Sequence, residues 1–164
     1  MIKSNIEIYS EPYKQNVTDL ILNIQRNEFS IPISIEEQPD LNNIPGFYQI
    51  NKGNFWVALV DNKVVGTIAL LDIGNKRGAL RKMFVAAEYR GKGLNIAYQL
   101  LQKLLEWAEA NNFKEILLGT TEKFIAAHRF YEKNGFSEIS KDSLPKEFPV
   151  MKVDVKFYKY AIRK

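Results

Sequence analysis

The stretch that most restricts the fold is residues 88–110, "EYRGKGLNIAYQLLQKLLEWAEA", where a charged, glycine-bearing loop runs straight into a long amphipathic helix. Asn95, Gln99, Gln102, Glu106 and Glu109 recur at helical steps and draw one solvent stripe, while Leu94, Ala97, Leu101, Leu104 and Ala108 draw the opposite, apolar one. Such a helix must lay its apolar stripe on something. The flanking segments "GALRKMFVA" and "KEILLGTT" read as strands, which supplies a sheet. Gly91 and Gly93 are costly in a helix and cheap in a turn. The helix start that follows presents bare N–H groups and the positive end of a dipole, a natural seat for phosphate.

The rest of the chain extends the same α/β pattern. Residues 2–9 predict a first strand, and a helix follows from about Pro12 with Val17, Leu20, Ile21 and Ile24 in phase. Residues 29–46 hold three prolines and predict a loop with one short helix near 35–41. "NFWVALVDNKVVGTIALLDIG" predicts a hairpin turning at Asp61 to Lys63, its second strand apolar on both faces and therefore central. In "GALRKMFVA" the apolar phase slips between Leu80 and Met83, which can mark a β-bulge. "EKFIAAHRFYEKN" predicts a helix stopped by Gly135, and "FPVMKVDVKFYKY" alternates as a half-exposed strand. The 164 residues suffice for one core, so a single mixed α/β domain over residues 1–164 is expected.

Composition narrows the chemistry. There is no cysteine and only one histidine, His128, which removes thiol nucleophiles and makes a metal site implausible. The net charge of +4 suits a small anionic ligand and falls short of a nucleic-acid-binding stripe. With no secretory pattern at the N-terminus and no long apolar run, a cytoplasmic protein without membrane association is expected.

The loop fits neither common nucleotide motif. A Walker A loop needs Ser or Thr after its lysine, and here Gly93 and Leu94 follow Lys92; a dinucleotide fingerprint needs a third glycine where Ile96 stands. Taken alone, the two glycines could simply turn the chain. "LRKMFVAAEYRGKGL" followed by "LGTTEKFIAAHRFYEKNGF", however, resembles the GCN5-related N-acetyltransferase (GNAT) superfamily. Arg90, Gly91, Lys92, Gly93 and Leu94 match all but the last place of that family's acetyl-CoA loop, and Tyr131 begins its "YEKNGF" signature. Two places depart: Asn95 stands where Gly or Ala is usual, and Phe124 where an asparagine is common.

The resemblance implies a mixed, mostly antiparallel sheet with helices on both faces and a splayed central strand pair. It implies acetyl-CoA as acyl donor, without a metal, held by Met83, Phe84, Val85, residues Arg90 to Asn95 of the loop, Ala127 and Tyr131. Val85 N–H would face the thioester oxygen, and Tyr131 would serve as the general acid toward the CoA sulfur. The acceptor would be a primary amine of a small molecule. A lysine-like amine of pKa ~10.4 is only about one part in several thousand neutral at pH 7, so a base or a desolvating pocket is needed. The strand before the loop lacks the glutamate many relatives carry; Glu36 and Glu37 are candidates. Phe29, Phe47, Tyr48 and Phe148 are expected as apolar walls; Arg77, Arg81 and Lys82 are candidate partners for an acceptor carboxylate, with a solvated basic turn the alternative for Arg81 and the simpler reading of Arg77. A peptide acceptor, a non-catalytic acyl-CoA sensor and a homodimeric assembly all remain open.

Overall fold

The computed structural model describes residues 3–91 and 93–162; Lys92 of the glycine loop and the expected strand start at Ile2 lie outside the described residues. Among the described residues, seven strands form one sheet: β1 (Ser4–Ile8), β2 (Asn54–Val60), β3 (Lys63–Gly74), β4 (Arg77–Val85), β5 (Glu115–Thr120), β6 (Ser137–Ile139) and β7 (Lys156–Ala161). Their order is β1-β2-β3-β4-β5-β7-β6, and only β4 and β5 run parallel. The β2–β3 hairpin turns at Asp61 and Asn62, both with positive φ, the backbone hand that a tight hairpin demands.

Period-two alternation sorts β2 between two cores. Phe55, Val57 and Leu59 meet Val17 and Ile21 of α1 (Lys14–Leu22). Trp56, Ala58 and Val60 face the other way and join Ile96, Leu100, Leu101 and Leu104 of the long helix, which is α4 (Ile96–Ala110) once α2 (Pro39–Asn42) and α3 (Ile44–Phe47) have been numbered. Leu100, Leu101 and Leu104 have no exposed surface. Each contributes roughly 1.5–3 kcal/mol by leaving water. The expected helix from Pro12 begins as a 3₁₀ turn, continues as α1, and widens into a π-helical segment over residues Asn23–Glu28. The short helix expected near 35–41 is displaced toward Pro39, which opens α2 where proline is tolerated.

One expectation fails. The alternation of residues 151–155 does not make a strand: Asp154 carboxylate accepts from Met151 N–H at 2.8 Å, the chain turns there, and β7 starts only at Lys156. Val153 and Val155 stand exposed, so the alternating pattern had no sheet face to bury.

Two features of the sheet create the site. β4 and β5 pair only through Arg77–Ala79 against Glu115–Leu117; beyond that β4 stays with β3, β5 stays with β7, and a wedge opens between them. Within β4 the register to β3 passes from Thr67↔Phe84 to Ala69↔Arg81, which places one extra residue on β4. Lys82 takes that irregularity with φ of 52°, and Thr67 Oγ1 secures it by donating to the Lys82 carbonyl at 2.7 Å. The bulge cancels the alternation that would send neighbours to opposite faces. Arg81 lies over the Phe47 and Tyr48 rings of the α3 region while Lys82 pairs with Asp40 of α2, so both cations face one side.

Candidate active site

Two cavities open along the wedge and share Met83, Phe84, Thr120, Phe124 and Tyr131 in their walls. The first, of about 300 Å³, lies toward α5 (Ile125–Lys133) and is lined by Val85, Arg90, Ala97, Ala127 and Phe130 besides the shared residues. Ala86 N–H bonds to the Val65 carbonyl at 2.8 Å. In an antiparallel pair the neighbouring residue then directs its N–H and C=O away from that partner, which turns Val85 toward the wedge. Its carbonyl indeed accepts from Arg90 Nε at 2.7 Å. This is an open sheet edge of the kind that an extended amide-bearing chain can extend.

At the outer end of this groove, Gly91 and Gly93 adopt φ of 71° and 76°, and Asn95 follows at 55°. A Cβ on either glycine would meet nothing within 4 Å, so backbone hand and not crowding calls for glycine here. Asn95 is exposed, as its phase predicts, but it precedes α4 and needs a left-handed conformation. Asparagine is among the few side chains that tolerate that region, which explains its standing in for glycine. Gly91, Gly93, Leu94 and Asn95 line neither cavity. Arg90 is engaged: its guanidinium forms a two-pronged ion pair with Glu28, one arm at 2.7 Å, and lies over the Phe29 ring. Lys123 bonds the Phe29 and Ser30 carbonyls at 3.1 and 3.3 Å, and Phe29 meets Phe124 edge-on at 4.8 Å. The end of the π-helical segment is thus strapped across the groove.

The second cavity, about 400 Å³, lies on the α2–α3 side and is lined by Gln25, Glu37, Arg81, Lys82, Phe148 and Asp154 among others. Lys82 and Asp40 form an ion pair at 3.5 Å with both side chains almost wholly buried. Asp40 also accepts from Tyr48 hydroxyl at 2.6 Å, and Lys82 Nζ donates to Gln38 Oε1. Gln25 and Gln38 exchange hydrogen bonds at 3.1 and 2.9 Å. Burial pushes the Lys82 ammonium down to about 8, because desolvation outweighs the attraction of Asp40.

Tyr131 stands where the cavities meet. It is 5% exposed, burial raises its phenol well above the ordinary value, and no hydrogen bond to it forms among the described residues. A buried phenol of this kind stays protonated through neutral pH and remains available as a donor.

A family model described as the acetyltransferase (GNAT) family matches residues 18–136. The chain belongs to the GNAT family. An N-acetylaspartate synthetase of Xenopus tropicalis is 43% identical over 104 residues, 61% of this chain but 37% of that protein. The match spans between about a third and a half of the length of the curated relatives. A GNAT-family acetyltransferase from Staphylococcus aureus Mu50 superposes with a TM-score of 0.94 at 42% identity, over 98% of this chain and 99% of that one. The PaiA N-acetyltransferase of Thermoplasma acidophilum, solved with coenzyme A, shares the fold at a TM-score of 0.73 and 17% identity, over 97% and 99% of the two chains.

Within this GNAT fold, Met83, Phe84, Val85, Arg90, Ala127 and Tyr131 gather around one groove. Of the expected acceptor residues, Arg81, Lys82, Glu37 and Phe148 line the second cavity. Phe29 lines the first cavity instead, Phe47 and Tyr48 support Arg81 from below, and Arg77 is bound to Glu115 at 2.7 Å. His128 caps the Thr121 carbonyl at 2.9 Å, a structural role. Glu37 accepts from Ser34 N–H and hydroxyl, which ties it to its own turn. Sequence reasoning missed Gln25, Glu28, Gln38, Asp40 and Asp154. The only signal was a pair of basic residues on a strand with a phase slip, which called for buried partners from some other element. Among the described residues no cluster of metal-ligating side chains occurs, and no helix is long and apolar enough to cross a membrane.

Proposed function

We propose that this chain is an acetyl-CoA-dependent N-acetyltransferase whose acceptor is a small primary amine bearing carboxylate, with an acidic amino acid such as aspartate the leading candidate. The observation that carries the reading is the meeting of an open-edged donor groove and a cation-bearing cavity at one buried phenol, Tyr131. Bound acetyl-CoA would supply an activated acetyl group as a thioester. The fit rests on Val85, whose N–H faces the wedge without a β5 partner, and on an apolar groove beside Ala127 and Phe130.

The protein's own groups then divide the work. Val85 N–H donates to the oxygen on which charge develops. Tyr131, protonated at neutral pH and placed where the cavities meet, gives its proton to the departing sulfur. Arg81 and Lys82, brought to one face by the bulge, offer two cations to acceptor carboxylates. The name of the Xenopus tropicalis relative, N-acetylaspartate synthetase, supports the same acceptor class.

Thiol release from acetyl-CoA across aspartate, glutamate, neutral amino acids, spermidine and a lysine peptide tests the proposal. Preference for the dicarboxylic acceptors is expected. Preference for spermidine or the peptide would overturn the carboxylate assignment, and a rise in melting temperature with CoA but no thiol release from any amine would make the chain an acyl-CoA-binding module.

A further inference from the structure

The proton that an acceptor ammonium must lose has no recipient in the chemistry described so far, and the structure holds one carboxylate suited to it. We propose that Asp154 is the group that anchors the acceptor ammonium and takes its proton. The inference rests on the acetyltransferase reading above and deepens it.

Asp154 lies in the wall of the acceptor cavity, on the turn before β7, opposite the bulged strand that carries Arg81 and Lys82. One oxygen, Oδ2, accepts from Met151 N–H at 2.8 Å, which fixes the carboxylate; Oδ1 has no hydrogen bond to any described residue. The carboxylate rests on Gly119 of β5, in the strand that diverges from β4. A Cβ there would come within 2.6 Å of Oδ2. Glycine at that place lets the carboxylate reach the strand, next to Thr120 of the shared wall.

The charges also fit. Arg81 and Lys82 face Asp154 from β4, Glu37 and Lys152 stand on the rim, and Tyr131 lies at the junction. An acidic amino acid carries two carboxylates and one ammonium, and the cavity offers two cations on one wall and one carboxylate with a free oxygen on another. Burial pushes the Asp154 carboxyl up, partly offset by Met151 N–H, Arg81 and Lys82, which makes it a better proton acceptor than a free aspartate. Each proton has a destination. One ammonium proton passes to Oδ1 and on to water; the amine nitrogen bonds to the acetyl carbon as the carbon–sulfur bond breaks. The sulfur takes the Tyr131 proton, and the second nitrogen proton restores the phenol.

The test is Asp154→Asn, which keeps an oxygen for Met151 N–H and removes the charge. At pH 7 the kcat/KM for the carboxylated acceptor is expected to fall about a hundredfold. Calorimetric affinity for the acceptor should fall about tenfold, while the CoA-induced rise in melting temperature and the acetyl-CoA KM stay unchanged. The kinetic loss should shrink toward pH 10, where the amine deprotonates in solution. A loss under threefold at pH 7, or one equally large at every pH, overturns the base assignment. Should the unaltered protein release no thiol with any amine, the functional reading itself fails and this role falls with it.

Discussion

Arg90 and Lys82 are both cations held by a carboxylate beside a cavity, yet their settings are opposite. The Arg90–Glu28 pair keeps 38% and 30% of its side-chain surface in water; the Lys82–Asp40 pair keeps 8% and 4%. An exposed pair contributes about 0–1 kcal/mol and exchanges partners easily. A buried pair adds little net stability, but losing one partner costs about 3–5 kcal/mol because the other charge is stranded. On the function proposed above, the donor end would be suited to hand its arginine from a glutamate to an incoming phosphate, and the acceptor end to hold its cations still. The exposed pair is thus the exchangeable one of the two, and the buried pair the fixed one.

The largest effect should come from stranding the buried charge. Asp40→Ala is expected to lower unfolding free energy by about 3–5 kcal/mol in urea titrations; a loss below about 1 kcal/mol would erase the contrast between the two pairs. Next, Tyr131→Phe should reduce kcat by roughly 10²-fold, with little change in CoA affinity measured by calorimetry.

The titration of Lys82 gives a third, intermediate test. Its folded pKa of about 8 lies below the ordinary 10.5, so between those pH values the unfolded chain binds more protons than the folded one. Stability should therefore rise with pH across that window, at a slope approaching about 1.4 kcal/mol per pH unit from this group. Acceptor binding should move the other way. KM for a carboxylated amine should climb as pH passes 8 and the cation is lost, whereas KM for an uncarboxylated amine should not. Smallest of all, Glu28→Gln should change stability by less than about 1 kcal/mol while tightening CoA binding a fewfold, because Arg90 is released for phosphate.

What the sequence revealed tracks how local each feature is. The α4 stripe, the Asp61–Asn62 turn, the Gly91–Gly93 loop and the slip between Leu80 and Met83 are written in neighbouring residues, and each appears where its spacing put it. Even Asn95 made sense once its backbone hand was visible. The acceptor cluster was illegible for the converse reason. Asp40, Gln38 and Gln25 lie 42, 44 and 57 positions before Lys82 along the chain, on segments without a sustained period, and only the fold decides which polar side chains it buries together. Asp154 was hidden by a false alternation, since a turn closed by its own carboxylate mimics a strand in hydropathy alone.

The wall common to both cavities has an evolutionary cost. Met83, Phe84, Thr120, Phe124 and Tyr131 border both cavities at once, which on the proposed function would be the acyl chamber and the amine chamber. A lineage, or an engineer, that trims Phe124 to admit a longer acyl chain also reshapes the room for the amine. Donor choice and acceptor choice in this protein are therefore expected to drift together, and compensating changes should gather in pairs across that partition.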